Sequence, residues 1–171
     1  MTQFRKYANY YDLLYRDKDY AGEVAYIDAL VKQYHPGSKR ILELGSGTGR
    51  HACLMAENGY SLHCVDMSED MLEMANDRLT SVSSAVATRL DFNRGDVRND
   101  RTDEKFDVVM SLFHVASYQT ANADLLSMLR TAADHLEKGG VLLFDCWYGP
   151  AVLTDRPTER TLDIEDDTLH I

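Results

Sequence analysis

Short apolar segments alternate along the chain with longer segments in which apolar residues recur at helical spacing. The short segments end in polar or turn-forming residues and predict strands at 40–44, 61–66, 88–92, 106–112 and 141–145. The amphipathic segments predict helices at about 22–34, 48–58, 69–80 and 122–137. This repeated strand–helix alternation predicts an α/β fold with a doubly wound, mainly parallel sheet and helices on both faces.

Residues 1–37 precede the first strand, and we predict that they form an N-terminal helical lid. Phe4, Tyr7, Tyr11 and Leu14 follow helical spacing, so one aromatic face should pack inward. This face can cover the sheet edge, its phenol rings can close over a bound ligand, or one helix can do both.

The last segment, 151–171, breaks the alternation that predicts a core domain at 38–150. It holds two short candidate strands, 160–164 and 168–171, on either side of an acidic turn, a pattern typical of a β-hairpin. We therefore expect one core domain between the helical lid and a short tail.

The first strand runs directly into a loop in which Gly45, Gly47 and Gly49 alternate with small polar residues. Glycine can adopt positive φ and lets a ligand lie against the backbone, and the following helix offers unpaired N–H groups. Dinucleotide enzymes use G-x-G-x-x-G for this purpose, but Arg50 stands where that motif needs its third glycine. The carboxylate of Glu43 would repel a pyrophosphate but suits an ammonium group. S-adenosylmethionine carries an ammonium and a sulfonium and no phosphate.

A second acid ends the second predicted strand. Asp66 follows Gly45 by 21 positions. A βαβ unit uses this spacing to place a carboxylate on the ribose hydroxyls of a nucleotide-type cofactor. We therefore expect Asp66 to contact the ligand with either kind of cofactor.

Acids and glycines fall in a fixed order on the predicted elements: Glu43 to Gly49, Asp66, Asp96, Phe106-Asp107 and Gly139-Gly140. Over residues 38–146 this set resembles the class I S-adenosylmethionine-dependent methyltransferases. The resemblance implies a Rossmann-like fold and S-adenosyl-L-methionine as cofactor. It also implies a seven-stranded sheet, the C-terminal part of which is missing from this chain.

A weaker similarity lies outside that core. It rests on Tyr11-Asp12-Leu13-Leu14-Tyr15, Lys18-Asp19-Tyr20-Ala21, Met110-Ser111-Leu112-Phe113 with Tyr118, and Trp147-Tyr148-Gly149-Pro150. These segments are similar to those of the N,N-dimethyltransferases that act on nucleotide-linked amino sugars, and they imply a small-molecule acceptor.

The resemblance implies three groups of site residues. The cofactor is expected to contact Tyr15, Tyr20, Glu43, Gly45, Ser46, Gly47, Gly49, Asp66, Met67, Met71, Asp96, Val97 and Leu112. The acceptor is expected to contact Tyr11, Phe113, Trp147 and Tyr148. An amine acceptor must lose a proton, and the candidate catalytic residues for this step are Tyr118 and His114.

Composition narrows the choice of partners. The formal net charge of −10 argues against nucleic acid as a substrate, because phosphate contacts need a basic surface. No apolar run is long enough for a membrane span, and the N-terminus lacks a signal-peptide core, so we expect a cytoplasmic protein. The cysteines and histidines show no ligand spacing, and we expect no metal. A homodimer is one option for the assembly.

The sequence therefore predicts a methyltransferase that uses S-adenosylmethionine and acts on a nitrogen or oxygen of a small molecule, with an amino sugar as one candidate. Two alternatives stay open at this stage. The short C-terminus is compatible with a non-catalytic S-adenosylmethionine-binding module that needs a partner. An NAD(P)-dependent oxidoreductase is disfavoured by Arg50 and Glu43.

Overall fold

The structure is a computed structural model that describes residues 10–156, 158–159, 161 and 163. The helices are α1 (residues 10–14), α2 (Tyr20–Tyr34), α3 (Arg50–Glu57), α4 (Glu69–Arg78), α5 (Ser84–Ala87), α6 (Asn122–His135) and α7 (Gly149–Thr154). The strands are β1 (Arg40–Leu44), β2 (Ser61–Asp66), β3 (Leu90–Arg94), β4 (Phe106–Ser111) and β5 (Leu136–Phe144). None of the helices in the described part of the chain has the length and apolarity needed to cross a membrane.

The described strands form one parallel sheet in the order β3-β2-β1-β4-β5. Leu42 pairs with His63 of β2 on one side and with Val109 of β4 on the other. The strand order therefore reverses at β1, and a crevice opens there at the carboxyl ends of β1 and β4. Open α/β sheets bind their ligands in this crevice. The prediction of a doubly wound parallel sheet is confirmed.

Strand β1 is buried on both faces, which explains its nearly continuous apolar run. On one face Ile41 belongs to a cluster with Val31 of α2 and Met55 of α3. On the other face Leu42 belongs to a cluster with Met128 of α6. Because helices cover both faces, the loop that leaves β1 starts from a rigid position.

Side-chain caps fix where two helices begin. Ser68 accepts a hydrogen bond from the Met71 N–H at 3.3 Å and caps α4. Asp19 accepts a hydrogen bond from the Gly22 N–H at 2.8 Å and caps α2. The α4 cap lies directly after β2 and so holds the carboxyl end of that strand against the crevice.

The predicted boundary between α6 and β5 is wrong. The sequence places Gly139-Gly140 between helix and strand, but α6 ends at His135 and the glycine pair lies inside β5. The β4–β5 ladder changes register next to this pair. Gly139 takes a φ of 88°, and a Cβ on Gly140 would lie 2.9 Å from the Asp107 carbonyl oxygen. The two glycines therefore accommodate a β-bulge, which hydrophobic periodicity does not reveal.

Two smaller differences concern the ends of elements. Strand β3 begins at Leu90, two residues later than predicted, and the segment after β5 forms the short helix α7. The predicted hairpin at 160–164 and 168–171 falls almost wholly outside the described residues. Phe4 and Tyr7 of the predicted lid also lie outside them.

Strand β5 lies at an edge of the sheet and is covered less than the central strands. Phe144 at its end and Leu126 on α6 are about half exposed, whereas Val108 and Met110 of β4 are fully buried. An apolar edge of this kind favours pairing with a further strand.

Candidate functional site

The three glycines of the loop after β1 all have positive φ, of 84°, 55° and 73°. They have different surroundings. A Cβ on Gly45 would lie 2.6 Å from a methyl group of Val115, and a Cβ on Gly49 would lie 2.7 Å from the ring of Phe92. A Cβ on Gly47 would meet no atom within 4 Å. The outer glycines therefore allow close packing, and the middle one borders open space.

That open space is a cavity of about 260 Å³ at the carboxyl ends of β1, β2 and β4. Its wall contains most of the glycine loop together with side chains from α1, α2, α4 and the segment after β4. The cavity thus occupies the crevice in which the topology predicts a ligand.

Glu43 lies beneath the glycine loop and lines this cavity, although its side chain is only 1% exposed. Burial raises the pKa of its carboxyl to about 8, and the charge of Asp66 acts in the same direction. The Cys64 thiol donates to Glu43 Oε2 at 3.8 Å and opposes these effects only partly. At neutral pH the carboxyl of Glu43 is therefore protonated, and a cation in the cavity would ionise it.

Asp66 holds the glycine loop and the start of α4 together. Its Oδ2 accepts from the Gly47 N–H at 2.8 Å and its Oδ1 from the Ser68 N–H at 2.9 Å. Each oxygen keeps a further lone pair for a ligand hydroxyl. Nearby, the Ser46 hydroxyl is buried and has no hydrogen-bond partner among the described residues. These groups fit a ligand with a ribose and an ammonium.

The N-terminal segment is fastened to the glycine loop by Asp12. Asp12 Oδ1 accepts from the Thr48 hydroxyl at 2.8 Å and from Arg50 Nε at 3.1 Å, and Oδ2 pairs with the Arg78 guanidinium. Tyr11 lies next to it and lines the cavity. The carboxylate thereby joins the predicted lid to two basic side chains beside the cofactor cavity.

The segment after β4 contains two consecutive residues in the left-handed region, Phe113 with φ of 61° and His114 with φ of 64°. Residues with a Cβ avoid this conformation. The carboxylate of Asp145, at the end of β5, accepts from the Phe113 N–H at 3.1 Å and the His114 N–H at 2.7 Å. These bonds stabilise the turn that places Phe113 in the cavity wall.

Asp12 and Asp145 were not among the site residues predicted from the sequence. Asp145 follows a strand in the same way as Asp66, so the rule that selects Asp66 would have selected it as well. Asp12 stands in an aromatic segment whose contacts are long-range, and sequence pattern offers no signal for them.

The structure brings together many of the residues that the sequence predicts for the site. The cavity is lined by Tyr11, Tyr20, Glu43, Gly45, Ser46, Gly47, Asp66, Met71, Leu112, Phe113 and Tyr118. Tyr118 is largely exposed at the rim. Grouping in one cavity agrees with their predicted roles, which stay predictions.

Other predicted residues do not line the cavity. These are Tyr15, Gly49, Met67, Asp96, Val97, His114, Trp147 and Tyr148. The Tyr15 ring packs against Phe113 with centroids 4.8 Å apart, and the His114 ring packs against Trp147 at 5.1 Å.

Asp96 and Val97, two of the predicted cofactor contacts, interact with other parts of the protein. The guanidinium of Arg98 makes hydrogen bonds to both carboxylate oxygens of Asp96, at 2.6 to 3.1 Å. These bonds lower the pKa of Asp96, against the effect of burial. The Val97 side chain is buried in the core on the α6 face. An adenine at this position would have to share Asp96 with Arg98.

Fold and cavity together define a class of protein. A parallel sheet with a cavity at its reversal point is a nucleotide-type binding fold. Here a buried acid, Glu43, stands beside the glycine loop in place of groups that would bind phosphate. No group of three or more potential metal ligands occurs among the described residues. The acidic side chains of Glu43 and Asp66 suit a nucleoside ligand that carries a cation.

Comparison with known proteins agrees with this class. Residues 41–140, more than half of the chain, match the methyltransferase domain family. The chain belongs to this family.

Two findings concern a sugar N,N-dimethyltransferase of Streptomyces venezuelae. The chain is 32% identical over 151 residues to dTDP-3-amino-3,4,6-trideoxy-alpha-D-glucopyranose N,N-dimethyltransferase, a match that covers 87% of this chain and 60% of the relative. The crystal structure of DesVI from the same organism superposes with a TM-score of 0.79 at 30% identity, covering 94% of this chain and 65% of that chain.

A third relative is CalS10, an amino pentose methyltransferase from Micromonospora echinaspora that was solved bound to S-adenosylmethionine. It has a TM-score of 0.72 at 26% identity and covers 81% of this chain and 56% of that chain. The chain thus spans roughly 55–65% of the length of these relatives.

Proposed function

We propose that this chain binds S-adenosylmethionine and transfers its methyl group to a nitrogen or oxygen of a small molecule. The observation that carries the proposal is the buried carboxyl of Glu43 beside Gly47 in the wall of the cavity. A pyrophosphate would keep this carboxyl neutral and gain no charge pairing from it, whereas the ammonium of S-adenosylmethionine would ionise the carboxyl and pair with it.

Each part of the cofactor has a suitable group in this cavity. Glu43 would hold the ammonium, and Asp66 would hold the ribose hydroxyls through its remaining lone pairs. The buried Ser46 hydroxyl would find a polar partner on the ligand. The missing Cβ of Gly47 leaves the space that the ligand needs. When bound, S-adenosylmethionine supplies an electrophilic methyl group.

The residues around the site have to orient the acceptor and exclude water rather than supply much chemistry. Tyr11 and Phe113 form part of the cavity wall, and Tyr118 stands at its rim. We propose that they shape the entrance for the acceptor, with Trp147 and Tyr148 at its outer side. His114 and Tyr118 remain the candidate proton acceptors from the sequence. The relatives that act on amino sugars make an amino sugar the first acceptor to test.

Calorimetric titration with S-adenosylhomocysteine tests the proposal directly, with NAD as the control. We expect micromolar binding of the first ligand and none of the second. Binding of NAD, or failure of the folded protein to bind S-adenosylhomocysteine, would refute it.

A further inference from the structure

The structure contains a second cavity, of about 280 Å³, between α2 and the carboxyl ends of β4 and β5. Its walls are largely apolar, with Ile27, Leu30 and Leu143 among them. Glu23, His51 and Asp145 also line it. An apolar pocket with a few ionisable groups is typical of a small-molecule site.

The two cavities share part of their walls. His51, Leu112 and Phe113 line both of them. A molecule in the second cavity therefore lies next to the cofactor cavity, with the His51 ring at the boundary. This is the arrangement that a methyl acceptor requires.

His51 is held in a defined orientation. Its Nε2 lies 2.9 Å from Glu23 Oε2, and the Lys18 ammonium pairs with the same carboxylate. Burial lowers the pKa of His51, and the bond to Glu23 offsets this only in part. For Glu23, burial works against ionisation, but the bonds from Lys18 and His51 outweigh it and lower its pKa. A neutral ring that donates from Nε2 to a carboxylate has its lone pair on Nδ1.

We propose, on the basis of the function proposed above, that the second cavity receives the acceptor as an amine and that His51, which lines this cavity, accepts its proton in place of His114 or Tyr118, which do not line it. The ammonium of the acceptor donates to His51 Nδ1. The N–H bond then breaks, its electron pair stays on nitrogen, and the proton forms the imidazolium, which Glu23 stabilises. The neutral amine formed in this way forms the N–C bond as the C–S bond of the sulfonium breaks, with the electron pair of that bond left on sulfur.

Charge around the cavity favours an amine over other acceptors. Glu23 and Asp145 are the charged residues in its lining, and both are acidic, with Lys18 outside the lining paired to Glu23. Asp145 accepts two backbone N–H bonds, which neutralise less charge than a cation would. A hydroxyl acceptor gains little from such surroundings, and an anionic group is repelled. The cavity thus selects nitrogen over oxygen as the methyl acceptor.

Several ionisable groups lie near His51, and Glu23, Lys18 and Asp145 among them affect its pKa. The nearby groups are Lys18 before α2, Tyr20 and Glu23 on α2, Arg50 on α3 stacked on Tyr20, Glu43 on β1 and Asp145 after β5. Lys18 opposes protonation of His51 and Asp145 favours it. Among these ionisable groups, Glu23 is the one that hydrogen-bonds to His51, at Nε2. Glu23 is therefore the residue to substitute.

Nuclear magnetic resonance with labelled protein and S-adenosylhomocysteine tests this assignment. The probes are cyclohexylamine and its neutral counterpart cyclohexanol. We expect the amine to shift the ¹⁵N resonance of His51 Nδ1 and the methyl resonances of Leu30 and Leu143, and the alcohol to bind about tenfold more weakly. Equal binding of the two probes, or an unchanged Nδ1 resonance at millimolar amine, would overturn the assignment.

Two variants and a control separate the cavity from general effects. Glu23→Gln should weaken amine binding about tenfold while leaving the affinity for S-adenosylhomocysteine unchanged. Glu57→Gln makes the same charge change on α3 outside both cavities and should have no effect. Leu30→Trp should fill the cavity and block the amine without altering an ionisable group. Amine binding that survives Leu30→Trp would refute the location.

The two proposals fail in different ways. If S-adenosylhomocysteine does not bind, both are refuted. If it binds and the amine leaves His51 unaffected, only the acceptor site is refuted and the cofactor assignment stands.

Discussion

Replacement of Glu43 by glutamine should raise the free energy of unfolding and weaken cofactor binding. The carboxyl of Glu43 has an ordinary pKa of 4.5 when exposed and of about 8 in the folded protein, because burial penalises its charge. Between these values the unfolded state releases its proton and the folded state keeps it, so the free energy of unfolding falls as pH rises. Glutamine has nearly the same shape and no charge, so the variant lacks this loss.

The size of the effect follows from the two pKa values. At about 1.4 kcal/mol per pH unit, the penalty is about 3 kcal/mol at neutral pH and about 5 kcal/mol above the folded pKa. Near pH ~5, where the Glu43 carboxyl is protonated in the folded protein, wild type and Glu43→Gln should have similar free energies of unfolding. Urea unfolding of wild type and Glu43→Gln at pH values from about 5 to about 8.5 measures this difference. A stability difference that does not grow with pH would refute the buried-charge argument.

The same substitution also tests the ligand. If the cofactor ammonium pairs with Glu43, binding at neutral pH must ionise a carboxyl that is protonated in the free protein. Titration of wild type with S-adenosylhomocysteine in buffers of different ionisation enthalpy should then show release of about one proton. Glu43→Gln should bind more weakly and release none. Binding by wild type without proton release would show that the ammonium lies elsewhere.

Four other substitutions give distinct outcomes. Asp66→Ala should weaken S-adenosylhomocysteine binding by about 1–3 kcal/mol in calorimetry, and an unchanged affinity would exclude its ribose role. Gly45→Ala should lower the free energy of urea unfolding by about 1–3 kcal/mol, since its Cβ would lie 2.6 Å from Val115. Gly47→Ala should lower the free energy of unfolding by about 1–2 kcal/mol, because of the positive φ at this position alone, and should abolish cofactor binding. Retained binding would show that Gly47 does not border the ligand. Asp12→Asn should raise the dissociation rate of S-adenosylhomocysteine about fivefold in stopped-flow experiments, because it weakens partly exposed ion pairs worth about 1 kcal/mol. An unchanged rate would show that the ion pairs of Asp12 do not control access to the cofactor cavity.

The centre of the sheet could be predicted from the sequence because local pattern and burial agree there. The predicted bounds of β1 and β2 match the structure, since both strands are short, largely apolar runs with an acidic site residue, Glu43 or Asp66, at or next to their last position. Glu43 could be selected as a ligand group from its place before the glycine loop. Its raised pKa could not, because that depends on burial in the folded protein and on the charge of Asp66.

Prediction failed where an element depends on a distant partner. The extended start of β5 depends on a register change against β4, and Gly139-Gly140 serves that bulge instead of ending a helix. Asp12 meets Arg78 across 66 positions of sequence. The second cavity joins side chains of α2 to the ends of β4 and β5, and no local pattern indicates that they meet.

The pair of left-handed residues after β4 has a consequence for the order in which the site forms during synthesis. Phe113 and His114 reach their conformation through the carboxylate of Asp145, which the ribosome adds 31 residues after His114. The glycine loop and Asp66 depend on contacts with residues that precede Asp145 in the chain, so they can assemble before Asp145 is added. We therefore expect the emerging chain to acquire its cofactor-binding half first, while the wall between the two cavities is completed only when β5 joins the sheet.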